Sequence, residues 1–273
     1  MRRTTLSLAF LGLLASTSAY AAGECSMGKT LAEGKLTIAT GNPAYEPWVQ
    51  NDAPEAGKGF EAAVAYAVAE EMGFEKENVV WTRTSFDEAI QPGAKDFDLN
   101  LQQFSITEDR DKVVDFSLPY YSAPMAVLVR KPAVDGGLKP ELGALKDLKW
   151  GAVASTTALP VVMEMVKPAA DPLLYDDTAN VVAAMNANQI DAAIFDLPTA
   201  LYIAAAVLKD GVVLGQFEDS EGQDLDQFGM LMTEGNPLKE CVDEAIDALS
   251  EDGTLAKIEQ EYLQDSLGAP VIK

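Results

Sequence analysis

Asp98-Leu99-Asn100-Leu101-Gln102-Gln103-Phe104-Ser105-Ile106-Thr107-Glu108-Asp109-Arg110 is the stretch on which the fold turns. It starts as a short strand, passes through two amides and two hydroxyls, and meets a helix expected to open at Thr107. Asp115-Phe116-Ser117 and Pro119-Tyr120-Tyr121 then lead into an extended run. A strand end that turns into a helix start offers backbone N–H donors, and Arg110 adds a planar fork matched to a carboxylate. Further along, Asp191-Ala192-Ala193-Ile194 repeats the strand pattern and ends at Phe195-Asp196. Open α/β sheets bind ligands at the C-terminal ends of their strands, and both segments deliver polar residues there.

Strand-like and helix-like patterns alternate on both sides of this stretch, which predicts an α/β architecture. Before it come a strand at Leu36 to Ala39 and a helix with Phe60, Ala63, Val64, Ala67, Val68 and Met72 on one face, stopped by Gly73. Val79 to Trp81 is the next strand, and Ser85 with Glu88 forms a capping box. After it, Tyr120 to Arg130 is long and extended, and Lys131 to Lys149 is a loop rich in Gly and Pro. The alternation then restarts with strands at Trp150 to Ala154, Leu173 to Tyr175, Ile190 to Phe195 and Val212 to Leu214, and a helix from Ala179 to Asn188. Phe228 to Met232 is extended. Asn236-Pro237 opens a helix to Ser250, and a last helix spans Leu255 to Gln264. Two α/β runs predict two lobes with a cleft between them. Tyr120 to Arg130 and Phe228 to Met232 are the expected crossovers, with lobe 1 formed by residues 22–123 and 227–273 and lobe 2 by residues 124–226.

The chain has 273 residues, 43 acidic against 20 basic, and no histidine. Without an imidazole, Ser-His-Asp and Cys-His catalysis and histidine-containing zinc sites are excluded. Two cysteines are too few for a Cys-rich zinc site, and a net charge of −23 opposes binding to nucleic acid. No phosphate-binding glycine loop or Gly-x-Ser-x-Gly elbow is present, and no cofactor is expected. Glu218 to Asp226 carries five acids but lacks calcium-loop spacing, so it reads as a solvated loop. Residues 1–21 read as a cleaved secretory signal, with Arg2 and Arg3, an apolar run from Leu6 to Leu14, and Ala19-Tyr20-Ala21 before Ala22. Export to an oxidising compartment makes Cys25 and Cys241 a candidate disulfide.

The run Ser105-Ile106-Thr107, Arg110, Val114, Phe116-Ser117 and Pro119-Tyr120 resembles the extracellular solute-binding protein family 3, the polar amino-acid-binding proteins of ABC importers. The likeness extends from about Gly34 to Gln264. It implies a two-lobed type II periplasmic-binding-protein fold with two crossover strands as the hinge. It also implies a periplasmic location, an amino acid held in the cleft, a membrane permease as partner, and a monomer. By the same resemblance Arg110 clamps the ligand α-carboxylate with Ser105 beside it, and Asp196 takes the α-ammonium. Tyr45 lies over the ligand and Phe86 forms a second apolar wall. Ser155-Thr156-Thr157 stands where the family has a Gly-Thr-Thr turn, so Thr156 and Thr157 are further carboxylate ligands.

Asn42 stands where the family often has Asp, which removes a charge that would favour a cationic ligand. Gln102 and Gln103 remain as side-chain readers, since an amide both donates and accepts. On these residues neutral polar amino acids rank first as ligands, basic ones second and acidic ones third. The alternative is a periplasmic lyase on the same scaffold, with Glu46 as its carboxylate base.

Overall fold

The structure is a computed structural model that describes residues 24–217, 226–263 and 269–273. The expected signal segment and all of the acidic loop except Asp226 lie outside the described residues.

The first lobe is built on a sheet of β1 (Leu36–Thr40), β2 (Val79–Arg83), β3 (Leu99–Asn100), β4 (Val114–Ala123) and β10 (Asp226–Thr233), in the order β2-β1-β3-β10-β4. Strands β1, β2 and β3 are parallel, and β10 runs antiparallel between β3 and β4. Helices α1 (Phe60–Glu71), α8 (Lys239–Glu251) and α9 (Thr254–Tyr262) pack on one face. Short α2 (Phe86–Ala89) packs on the other. Strand β10 serves both cores: Phe228, Met230 and Met232 enter the first cluster and Leu231 the second. That is the period-2 alternation of a strand covered on both faces.

The second lobe repeats the plan with β5 (Met125–Arg130), β6 (Trp150–Val153), β7 (Leu173–Tyr175), β8 (Ala192–Asp196) and β9 (Gly211–Gln216), in the order β7-β6-β8-β5-β9. Here β5 is the antiparallel strand, with Ala126 and Leu128 in one core and Val127 and Val129 in the other. Helices α6 (Thr178–Asn186) and α7 (Leu197–Tyr202) border the sheet, as does α5 (Ala158–Val161), which continues as a π-helical turn over Val162–Val166. Cys25 and Cys241 form a disulfide that ties the N-terminal segment to α8.

Several expectations change. Lys131 to Lys149 contains two short helices, α3 (Lys131–Asp135) and α4 (Leu142–Leu145), rather than loop alone. Residues 108–113 form turns rather than a helix, although the Thr107 hydroxyl still accepts from the Arg110 N–H at 3.3 Å. The first crossover is interrupted at Pro124, between β4 and β5. Phe228 to Met232 lies wholly inside the first sheet, so the chain returns to lobe 1 upstream of it, between Gln216 and Asp226. Asp226 pairs with Ala123 and Gln216 with Ala126, which sets the two crossings side by side. The last five residues belong with lobe 2 instead of lobe 1: Val271 bridges to Gln216, and Leu142 N–H donates to the Lys273 carbonyl at 2.8 Å. No helix among the described residues is long and apolar enough to cross a membrane.

Candidate functional site

A cavity of about 240 Å³ lies between the lobes. Arg110, Asp196, Ser105, Tyr45, Thr156, Thr157, Asn42, Phe86, Gln102 and Gln103 all line it.

Arg110 reaches it from the turn after β3. One guanidinium nitrogen donates to the Ser105 carbonyl at 2.8 Å and the other to the Ser155 carbonyl of lobe 2 at 2.7 Å. The guanidinium carbon lies 5.3 Å from the Phe86 ring centroid, a cation–π contact within lobe 1. Ser155 adopts no positive φ, so the turn that carries Thr156 and Thr157 forms without a glycine there. The Thr157 hydroxyl lies 3.2 Å from the Ser105 hydroxyl across the cleft, while the Thr156 hydroxyl donates to the Val153 carbonyl in its own turn.

At the end of β8, Asp196 caps α7: its Oδ1 accepts from the Thr199 N–H at 2.8 Å. The cap fixes the carboxylate at the strand end, as a helix N-terminus favours. Burial pushes its pKa up to about 6, against the Thr199 hydrogen bonds. The Tyr45 hydroxyl is buried without a partner among the described residues, and Tyr45 lines the cavity. Gln102 Nε2 donates to Asn100 Oδ1 at 3.1 Å.

Two residues are functional candidates that the sequence reading did not single out. Glu61, on the first turn of α1, is 1% exposed and lines the cavity. It accepts from the Tyr120 hydroxyl and from the Gln103 backbone and side chain, so Gln103 is tied to Glu61 rather than free to read a ligand. Burial pushes Glu61 up to about 7, with the Asp196 charge adding to the rise. The signal was present as a lone acid among apolar residues in Phe-Glu-Ala-Ala-Val.

The second is Asp226, expected to be a solvated member of the acidic loop. It lines the cavity, where the Thr157 hydroxyl donates to its Oδ2 at 2.8 Å. Glu46 does not line the cavity; its carboxylate accepts from the Asn51 N–H at 3.3 Å, which removes the base on which the lyase alternative rested. Trp48, fully buried, also joins the lobes, its Nε1 donating to the Thr199 hydroxyl at 2.8 Å. The Ser155 hydroxyl donates to Asp87 across the same cleft. With these contacts made, the two lobes are closed on each other.

The sequence profile of the bacterial extracellular solute-binding proteins, family 3, matches residues 36–265. The histidine-binding periplasmic protein of Salmonella typhimurium is 26% identical over 96% of this chain and 97% of its own. Among solved structures, an ancestral arginine-binding protein bound to arginine has a TM-score of 0.68 at 25% identity, covering 84% of this chain and 98% of that one. An ancestral amino-acid-binding protein described as a precursor of cyclohexadienyl dehydratase has a TM-score of 0.66 at 26% identity, covering 84% and 95%. The profile match and the two-sheet architecture agree, and this chain belongs to the bacterial extracellular solute-binding proteins, family 3.

Proposed function

We propose that this protein captures a polar amino acid with a cationic side chain between its lobes and delivers it to the permease of an ABC importer. It works in the periplasm as a monomer after its signal segment is removed. The two crossings beside Pro124 and Asp226 are the hinge. The carrying observation is that Arg110 from lobe 1 and Asp196 from lobe 2 line one cavity. A zwitterion needs one cation and one anion, and only a closed pair of lobes presents both. Charge-assisted hydrogen bonds of roughly 1.5–3 kcal/mol each supply most of the affinity once water is excluded.

The cavity's charge changes the ligand ranking. Glu61, Asp176, Asp177, Asp196 and Asp226 line it against Arg110 alone. Asp226 offsets Arg110, which leaves four carboxylates with no cation from the cavity-lining residues, so a basic amino acid now ranks above neutral ones. Asn42 is one missing acid among several that are present. The histidine- and arginine-binding relatives agree with that order. In a thermal-shift screen of the amino acids, a basic one at 100 times its dissociation constant stabilises the protein by about 2.7 kcal/mol. A screen in which no amino acid raises the melting temperature overturns the reading. Unchanged recovery of the bound amino acid after unfolding separates a carrier from a lyase.

A further inference from the structure

Asp226 is the first residue of β10 and pairs with Ala123 at the crossing. Its carboxylate accepts from the Thr157 hydroxyl at 2.8 Å, and that hydroxyl lies 3.2 Å from Ser105 Oγ. Burial pushes the Asp226 pKa up, against the Thr157 and Ser105 hydroxyls and the Arg110 charge, which favour its ionised form. These three side chains are the ones that the amino-acid reading assigns to the ligand's carboxylate.

We propose that Asp226 is an internal carboxylate seated in the ligand's carboxylate subsite, and that an amino acid binds by displacing it. The inference rests on the amino-acid reading for its ligand, and on donor arithmetic for its mechanism. Ser105 and Thr157 each have one hydroxyl proton to give, and Thr157 gives its own to Asp226. Part of the Arg110 fork is spent on the Ser105 and Ser155 carbonyls. Thr157 has no second proton for a ligand carboxylate, and two ionised carboxylates sharing one site repel. A change of side-chain rotamer takes the Asp226 carboxylate out of the cradle while its backbone stays paired in the sheet.

Two consequences follow for specificity. With Asp226 in the subsite, the ligand-free protein does not collect small anions beside Thr157 and Ser105. An acidic amino acid brings a second carboxylate into a cavity whose described lining holds five carboxylates and one guanidinium, and it is rejected.

The test uses Asp226→Ala and Asp226→Asn beside the wild type, titrated calorimetrically with L-arginine and with agmatine, which lacks the carboxylate. Both variants should bind L-arginine at least tenfold more tightly, with agmatine changed much less. In a second arm, sodium acetate should raise the melting temperature of ligand-free Asp226→Ala, but not of the wild type, relative to chloride at equal ionic strength. Arginine affinity unchanged or weakened in both variants, where the wild type binds it, overturns the proposal, as does the lack of any acetate effect. If the wild type binds no amino acid, the proposed function falls by itself, and the acetate arm alone decides whether Asp226 fills a carboxylate subsite.

Discussion

The two ends of the cavity are built on opposite electrostatic terms. At one end, Asp226 accepts from the Thr157 hydroxyl beside Ser105, and the charge of Arg110, the one guanidinium among the described lining residues, favours its ionised form. At the other, Asp196 and Glu61 are carboxylates whose proton affinity burial raises, with the Asp196 charge adding to the rise at Glu61 and the Asp226 charge to that at Asp196. Hydrogen bonds support them, and neither makes a salt bridge among the described residues. A buried charge without a partner is costly, so the second end stays partly protonated until a ligand brings a cation. On the proposed binding mode, the Asp196 end is where a ligand gains most, and the Arg110 end is where it exchanges one partner for another.

That asymmetry orders the predictions. Asp196→Asn keeps an acceptor to cap α7 and removes the charge, and should weaken amino-acid binding by roughly 100-fold, near the upper end for a charge-assisted contact. Arg110→Ala should weaken it by about tenfold, less than Asp196→Asn, because part of what Arg110 gives the ligand is withdrawn from Asp226. Calorimetric titration checks both, and equal losses would remove the asymmetry.

Stability should follow pH in the same terms. Glu61 and Asp196 hold folded-state pKa values of about 7 and 6, above their ordinary ones. Their contribution is present in full below the unfolded pKa and is lost as pH rises through the folded values. The ligand-free melting temperature should therefore fall from pH 5 to pH 8, and Glu61→Gln should flatten the slope by several degrees, at about 2–4 °C per kcal/mol. Ligand affinity should run the other way, falling below about pH 6 as Asp196 takes up a proton. Smallest is Trp48→Phe, which keeps most of the packing against Phe60, Tyr121 and Phe228 but loses the bond to Thr199. It should shift affinity by only a few-fold, the share of one neutral hydrogen bond of about 0.5–1.5 kcal/mol.

Local signals in the sequence carried much of the fold. The Ser85 cap accepts from the Glu88 N–H, and Asn236 Oδ1 accepts from the Leu238 N–H just before α8, as their residue types require. The unbroken apolar run Met125-Ala-Val-Leu-Val is legible as a strand covered on both faces. The acid pair at the Asp196 end was only half legible. Asp196 stands at a strand end, where its position signals a role. Glu61 becomes a buried carboxylate through Tyr120, 59 positions away, and Gln103, 42 away, and no local pattern encodes those contacts. Asp226 was hidden in the same way among the acids of its loop, since only closure of the lobes brings Thr157 to it. Charge that lies on the surface and charge that lines a site have the same composition and differ only in their tertiary neighbours.

The central claim is that an acid-rich cavity closes on a cationic amino acid. Calorimetric titration of the wild type with L-arginine and L-glutamate under identical conditions tests it most directly. Saturable one-to-one binding of arginine, with glutamate undetectable or far weaker, is the predicted result; glutamate binding as tightly as arginine would contradict the account.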